Sequence, residues 1–253
     1  MLRRRAPISF ALVVMAAAGQ AQFVISPQPG LVHHFDGTVL IEAEELGQDV
    51  AQFRRVARGE TLTTEEDGRC EILLGPGSLL RVGPASSIRM LSDDITDIRV
   101  ELLSGSIIVD WDRGREETPI RLIHAGTEIE LRQHGLYRLD SNPESSDRLR
   151  VFAGEARLEN NDTRASALDG QQIRLGSGEV EGFDRKQADS FVAWNRERGR
   201  FISKVNRLAR SRNQQLAAGI RKLGKHLGNG QSQRPRPLVH KGPHSFGGHR
   251  KRH

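Results

Sequence analysis

The chain has 253 residues, of which 36% are hydrophobic and 28% charged, and its mean hydropathy of −0.51 excludes a protein built mainly of membrane spans. The net charge of +6 is unevenly distributed: residues 198–253 carry fifteen Lys and Arg and no Asp or Glu, whereas residues 1–197 carry nine more acidic than basic side chains. Cys70 is the single cysteine, which excludes an internal disulfide and a cysteine-based metal cluster.

The first 21 residues have the pattern of a signal peptide. Arg3, Arg4 and Arg5 precede an apolar run over 8–18, and small residues follow up to a predicted cleavage site before Gln22. Residues 22–35 are predicted to be a flexible lead. Since no later run approaches the roughly 18 apolar residues that a membrane helix needs, we expect a periplasmic or secreted protein with no transmembrane segment in the mature chain.

Apolar residues alternate with polar ones through the middle of the chain, from residue 36 to 175. Val100 and Leu102, then Ile107, Val109 and Trp111, have the two-residue spacing of strands with one buried face, and we expect a tight turn at Gly105 between them. Similar glycine-punctuated phrases recur at uneven intervals. The pattern predicts an all-β domain of short antiparallel strands, either an irregular β-sandwich or a solenoid-like array, with Cys70 and Trp111 in its core.

Several of these phrases together resemble the FecR domain, the β-rich periplasmic part of the regulators of ferric citrate uptake. They are Gly59-Glu-Thr-Leu-Thr-Thr64, Gly68-Arg-Cys-Glu-Ile-Leu-Leu-Gly-Pro-Gly-Ser-Leu-Leu-Arg-Val82, Ser86-Ser-Ile-Arg-Met90, Val100-Glu-Leu-Leu-Ser-Gly-Ser-Ile-Ile-Val109, Leu149-Arg-Val-Phe-Ala-Gly-Glu-Ala-Arg-Leu158 and Leu168-Asp-Gly-Gln-Gln-Ile173. The resemblance implies an all-β domain that works by protein contact. The ferric citrate regulators carry a cytoplasmic anti-sigma segment and a membrane helix, whereas this chain has a signal peptide in their place, so we do not expect a direct anti-sigma role.

No motif of an enzyme or of a metal site stands out. The chain has no nucleophile elbow, zinc-protease helix or phosphate-binding glycine loop, and His33-His34 has no third ligand at a recognisable spacing. The carboxylate pairs Asp93-Asp94 and Asp110-x-Asp112 could serve a glycosidase, but such pairs are common on β surfaces. We therefore expect no catalysis, no cofactor and no bound metal. For sugar binding, Tyr137 is the aromatic residue that we expect to be exposed.

The periodicity changes at Asp184, which could cap a helix, and a helical extension is predicted over 184–227. Its first part contains Phe191-Val-Ala-Trp-Asn-Arg-Glu-Arg198, which resembles a helix that follows the domain in secreted FecR-like proteins. Phe191 and Trp194 are expected to dock on the β domain, with partner binding as the alternative, while Arg196 and Arg198 stay solvated.

A second helical segment is predicted over 213–227 and a disordered tail over 228–253. Gly219 and Gly224 weaken this segment, so it could fold only on contact with a partner. Arg221, Lys222 and Lys225 are its candidate anion-binding residues.

These features predict a non-catalytic binding or scaffold protein of the cell envelope that acts through protein contacts. The alternative is that the basic tail and the β face bind a polyanion or glycan, such as an envelope polymer, or the membrane surface. Nucleic acid is not expected as a partner after export.

Overall fold

The structure is a computed structural model that describes residues 29–47, 54–111, 120–141, 146–160 and 163–228. It is all-β apart from one long C-terminal helix, as the sequence predicted. The predicted signal peptide, the first part of the predicted lead and the predicted tail beyond residue 228 lie outside the described residues. By their contacts, the described residues form two compact units, one that ends at Phe191 and one that begins at Val192.

Sixteen strands and one helix make up the described chain. In order they are β1 (Leu31–Asp36), β2 (Val39–Ile41), β3 (Glu44–Glu45), β4 (Thr61–Thr64), β5 (Arg69–Gly75), β6 (Ser78–Val82), β7 (Ser86–Asp94), β8 (Asp97–Trp111), β9 (Ile120–His124), β10 (Thr127–Leu131), β11 (Gly135–Ser141), β12 (Arg148–Ala153), β13 (Glu155–Glu159), β14 (Arg164–Leu168), β15 (Gln171–Arg174), β16 (Val180–Gly182) and α1 (Ser190–Gly228).

The strands form two sheets that share β8. Sheet 1 has the order β1-β5-β6-β8-β11-β12-β15-β16, and sheet 2 the order β3-β2-β4-β7-β8-β9-β10-β13-β14. The first half of β8, up to Ser104, pairs with β7 and β9 in sheet 2, and the second half, from Gly105, pairs with β6 and β11 in sheet 1. Neighbouring strands are antiparallel except for β8 and β9, which run parallel.

The predicted turn at Gly105 is wrong, because β8 runs through this residue without a break. Gly105 has a φ of 83°, and a Cβ there would lie 2.2 Å from Ser86 Oγ. The amide of Ser106 donates a hydrogen bond to the same Ser86 Oγ (2.9 Å). The glycine therefore redirects the strand from one sheet to the other beside Ser86, as a bend does where a strand changes sheets.

Both sheets contribute to one hydrophobic core. The inward positions of β8 that the sequence indicated, from Val100 to Trp111, are buried together with Cys70. Strand β14 of sheet 2 packs against β12 and β15 of sheet 1. The unit is thus an irregular sandwich, whose inner faces are filled largely by alternate residues of the longer strands.

The elements at either end of the β unit differ from the prediction. Residues from Leu31, assigned to the flexible lead, form β1, because Val32 and Phe35 are buried in the core. The helix begins at Ser190 and not at the predicted cap, Asp184. The Asp184 carboxylate accepts a hydrogen bond from the Lys186 amide (2.9 Å) and so belongs to a separate turn before the helix. The two predicted helical segments are one continuous helix of 39 residues. Within the described chain, no helix has the length and apolarity to cross a bilayer.

Candidate interaction surfaces

The carboxylates considered for catalysis are engaged in local contacts. Asp93 pairs with Arg55 (3.3 Å), and Asp110 pairs with Arg81 (3.0 Å), while Asp112 lies outside the described residues. Asp94 accepts hydrogen bonds from the backbone N–H and the hydroxyl of Thr96, which lower its pKa. A general acid needs a raised pKa, so Asp94 is suited to holding a turn and not to donating a proton.

The paired histidines contact separate carboxylates. His33 Nδ1 lies 2.6 Å from Glu71 Oε1, and His34 Nε2 lies 3.3 Å from Asp36 Oδ1. The register of β1 on β5 shifts at an irregularity between Val32 and His34, and the two histidines there contact different carboxylates. Across the described ranges, no group of three or more His, Cys, Asp or Glu could hold a metal ion.

Tyr137 was expected to be exposed, and this prediction is wrong. Its side chain is fully buried, because β11 turns it into the core between the sheets. The phenol donates to the Gln133 carbonyl (2.5 Å) and accepts from the Glu155 amide (3.1 Å). Burial raises its pKa to about 12. Tyr137 cannot act as a stacking platform for a sugar.

The outer face of sheet 1 carries a cluster of paired charges that the sequence analysis did not single out. Asp140 accepts hydrogen bonds from Arg138 Nε (2.7 Å), Arg150 Nη1 (3.0 Å) and the Ser106 hydroxyl (2.6 Å). Arg138 Nη1 also donates to Asp189 (2.6 Å). These residues line a polar groove of about 250 Å³ that Arg148 enters as well. In the sequence, charged residues at alternate positions of β11 and β12 could have indicated this cluster. Their contacts with Ser106 and Asp189 could not be predicted, because they depend on how the strands pair.

A buried ion pair lies on the same side of sheet 1. Arg81 Nε donates to Glu71 Oε2 over 2.8 Å, and both side chains are fully buried. Removal of either partner would leave the other charge buried without water or a counter-ion, so the two side chains depend on each other. The pair links β5 to β6 and offers no accessible charge to a ligand.

Phe191 packs onto the outer face of sheet 1. It is buried, its ring centroid lies 5.6 Å from the Arg138 guanidinium, and a Cβ added to Gly83 would lie 3.0 Å from its ring. The salt bridge between Arg138 and Asp189 holds the same segment. Gly83 therefore leaves the space that the phenyl ring fills.

The remaining candidate residues lie on α1. Trp194 is half-buried, Arg196 is exposed, and Arg198 is half-buried with its guanidinium 5.3 Å from the ring centroid of Phe201. Arg221, Lys222 and Lys225 belong to the helix, but their side chains lie outside the described ones.

Farther along α1, large apolar side chains are exposed. Phe201, Val205, Leu208 and Leu216 have exposed fractions of 55%, 46%, 63% and 58%. We call these four residues the apolar row. A helix of an isolated soluble protein normally buries such a row, so this one is a candidate contact surface.

The last strand of sheet 2 forms another candidate surface. Among the described strands, β14 pairs with β13 alone, so its other side is a sheet edge. Its residues alternate, with Ala167 buried and Leu168 exposed by 54%. A sheet edge can add a strand from another chain.

Comparison with known proteins adds a distant structural neighbour. No family model matches the chain, and no curated protein matches it. Two crystal structures of a proposed anti-sigma factor from Parabacteroides distasonis are similar to part of it, each with a TM-score of 0.42 and 13% sequence identity. The match covers 50% of this chain and 61% of that chain, less than two thirds of the neighbour. At this level of similarity, the neighbour supplies no argument about the activity of the present chain.

Proposed function

We propose that the chain is a non-catalytic, FecR-like binding module of the cell envelope that takes up a protein partner along the edge strand β14. The observation that carries the proposal is the pairing of β14 on one side only, next to the exposed side chain of Leu168. An extended segment of a partner can add to such an edge through backbone hydrogen bonds, and exposed side chains then select it. The resemblance of the glycine-punctuated phrases to the FecR domain and the signal-peptide pattern support a role after export.

The test compares two substitutions of exposed leucines. Leu168→Lys places a charge at the β14 edge, whereas Leu103→Lys places one on the outer face of β8, where the native leucine is 37% exposed. The mature proteins are crosslinked in the envelope of their own cells, and crosslinked partners are measured by mass spectrometry. We expect Leu168→Lys alone to reduce the main partner, since lysine on an edge strand opposes strand addition. Equal crosslinking by both folded variants would refute the edge as the contact.

A second candidate function is binding of an anionic polymer or glycan. The division of charge favours it, because residues 198–253 hold fifteen basic side chains with no acidic ones. Such a segment attracts polyanions through long-range electrostatics, and the attraction weakens as salt rises. We expect the mature chain to be retained on dextran sulfate resin at low salt. Retention that persists unchanged after deletion of residues 211–253 would exclude the basic residues of that part of the segment as the cause.

A further inference from the structure

The apolar row of α1 lies along one side of the helix. Phe201, Val205, Leu208 and Leu216 are separated by 4, 3 and 8 residues. At about 100° per residue, these spacings place the four side chains within an arc of about 80°. Ser203 falls on the opposite side. From Phe201 to Leu208 the row is one apolar strip, and the exposed Arg212 lies in the same arc between Leu208 and Leu216.

Basic side chains follow a different side of the same helix. Arg200, Lys204 and Arg207 are exposed and are separated by 4 and 3 residues, which makes them a second row. Between Arg198 and Gly228 the sequence has nine Lys and Arg and no Asp or Glu, and six more Lys and Arg follow in residues 229–253. From Arg198 onward the helix is thus apolar along one side and cationic along another, and this part of it has no acidic residue to balance the charge.

Three kinds of occupant could cover the apolar row, and the charges distinguish them. In a second copy of the helix, nine positive charges would meet nine others, whereas paired helices normally match opposite charges beside their apolar seam. A soluble polyanion would neutralise the charges but leave the apolar row in water. An anionic lipid surface satisfies both, because its headgroups attract Lys and Arg while its acyl region accepts the apolar side chains.

We infer that α1 lies in the plane of an anionic lipid bilayer, with the apolar row at the acyl boundary and the row of Arg200, Lys204 and Arg207 among the headgroups. This inference rests on the second candidate function, because it uses the same basic segment. It adds that the anion bound by the segment is a lipid. It is independent of the β14 edge.

Vesicle flotation of the mature chain, residues 22–253, tests the inference. Phosphatidylcholine vesicles with and without phosphatidylglycerol serve as probes, and we expect binding only when the anionic lipid is present. The double variant Phe201→Ser with Leu208→Ser should bind at least about tenfold more weakly, because two apolar side chains leave the acyl boundary. The double variant Leu103→Ser with Val180→Ser is the matched control, since it removes two exposed apolar side chains from strands of the β unit other than β14.

Labelling on the two sides of the helix measures the orientation directly. Cys70 is fully buried, and burial raises the pKa of its thiol, so a thiol-reactive probe will label an introduced surface cysteine instead. In Val205→Cys, we expect anionic vesicles to shield the probe from a water-soluble quencher. In Ser203→Cys, on the opposite side of the helix, the probe should remain accessible.

Three outcomes would overturn the inference. The first is no binding to the anionic vesicles, and the second is equal binding by the Phe201→Ser, Leu208→Ser variant, which would mean purely electrostatic adsorption. The third is shielding of the probe at residue 205 without lipid, together with a doubled mass in solution, which would assign the row to a second copy. Retention on dextran sulfate is measured in parallel, so loss of the lipid interaction alone leaves the second candidate function standing.

Discussion

Tyr137 shows at the residue scale how burial decides the chemistry of a side chain. The alternation of β11 was visible in the sequence, but which face of the strand turned inward was not. The structure places the phenol in the core, where the neutral form is favoured and where the hydroxyl bonds to the backbone at Gln133 and Glu155. A Cβ at residue 154 would lie 2.1 Å from the phenol oxygen, so the glycine at this position leaves room for the hydroxyl.

Tyr137 is the only tyrosine, so its titration can be followed in the intact protein by phenolate absorbance near 295 nm. We expect a midpoint near 12 in the folded chain, and near the ordinary value of about 10 in denaturant. Because folding raises this pKa, the stability from the neutral phenol is complete below about pH 10 and is lost as the pH rises through 12. A folded midpoint near 10 would contradict the burial of the phenol.

At the scale of elements, β8 is the strand on which both sheets depend. Its apolar alternation could be predicted, yet Gly105 was interpreted as a turn because a positive φ suits a hairpin and a strand bend equally well. The distinguishing contact comes from Ser86, on a strand that the sequence alone does not pair with this position. The Asp140 cluster was missed for the same reason, since its members come from β8, β11, β12 and the segment before α1.

Two glycine substitutions separate the effect of φ from the effect of close packing. Gly105→Ala places a Cβ against Ser86, whereas Gly126→Ala has a similar φ of 77° with no atom within 4 Å of the added Cβ. We expect Gly105→Ala to lower the free energy of unfolding by about 2–5 kcal/mol and Gly126→Ala by about 1 kcal/mol. Urea unfolding measures both. Equal losses would show that β8 has room to shift away from Ser86.

At the scale of the whole molecule, the sequence separated the chain correctly into a β part and a helical part. The change from two-residue to helical periodicity, which the sequence placed at Asp184, is a local signal, and so is the imbalance of charge from Arg198 onward. The start of the helix and its continuity could not be predicted, because the capping residue at Asp184 forms its own turn and because Gly219 and Gly224 are weak helix formers. The sharing of β8 depends on pairing between distant strands and left no local trace.

Trypsin cleavage tests this organisation. Arg200, Lys204 and Arg207 are exposed on α1, whereas Arg81 and Arg138 are buried on strands of sheet 1. Under brief digestion of the native protein, we expect cleavage after the helical residues to be at least about tenfold faster, because an exposed helix opens locally while a central strand does not. Peptide mapping by mass spectrometry gives the rates. Similar rates at the two groups would contradict the difference in exposure.

The division of β8 between the two sheets also governs how the β unit comes apart. If sheet 1 detached, Ile107 and Val109 would lose their packing. If sheet 2 detached, Val100 and Leu102 would lose theirs. All four residues belong to the continuous backbone of β8. Neither sheet can therefore open while the other stays intact. Amide protons from β5 to β13 are expected to exchange with solvent in a single cooperative event, which would make the body an all-or-none platform for whatever it binds.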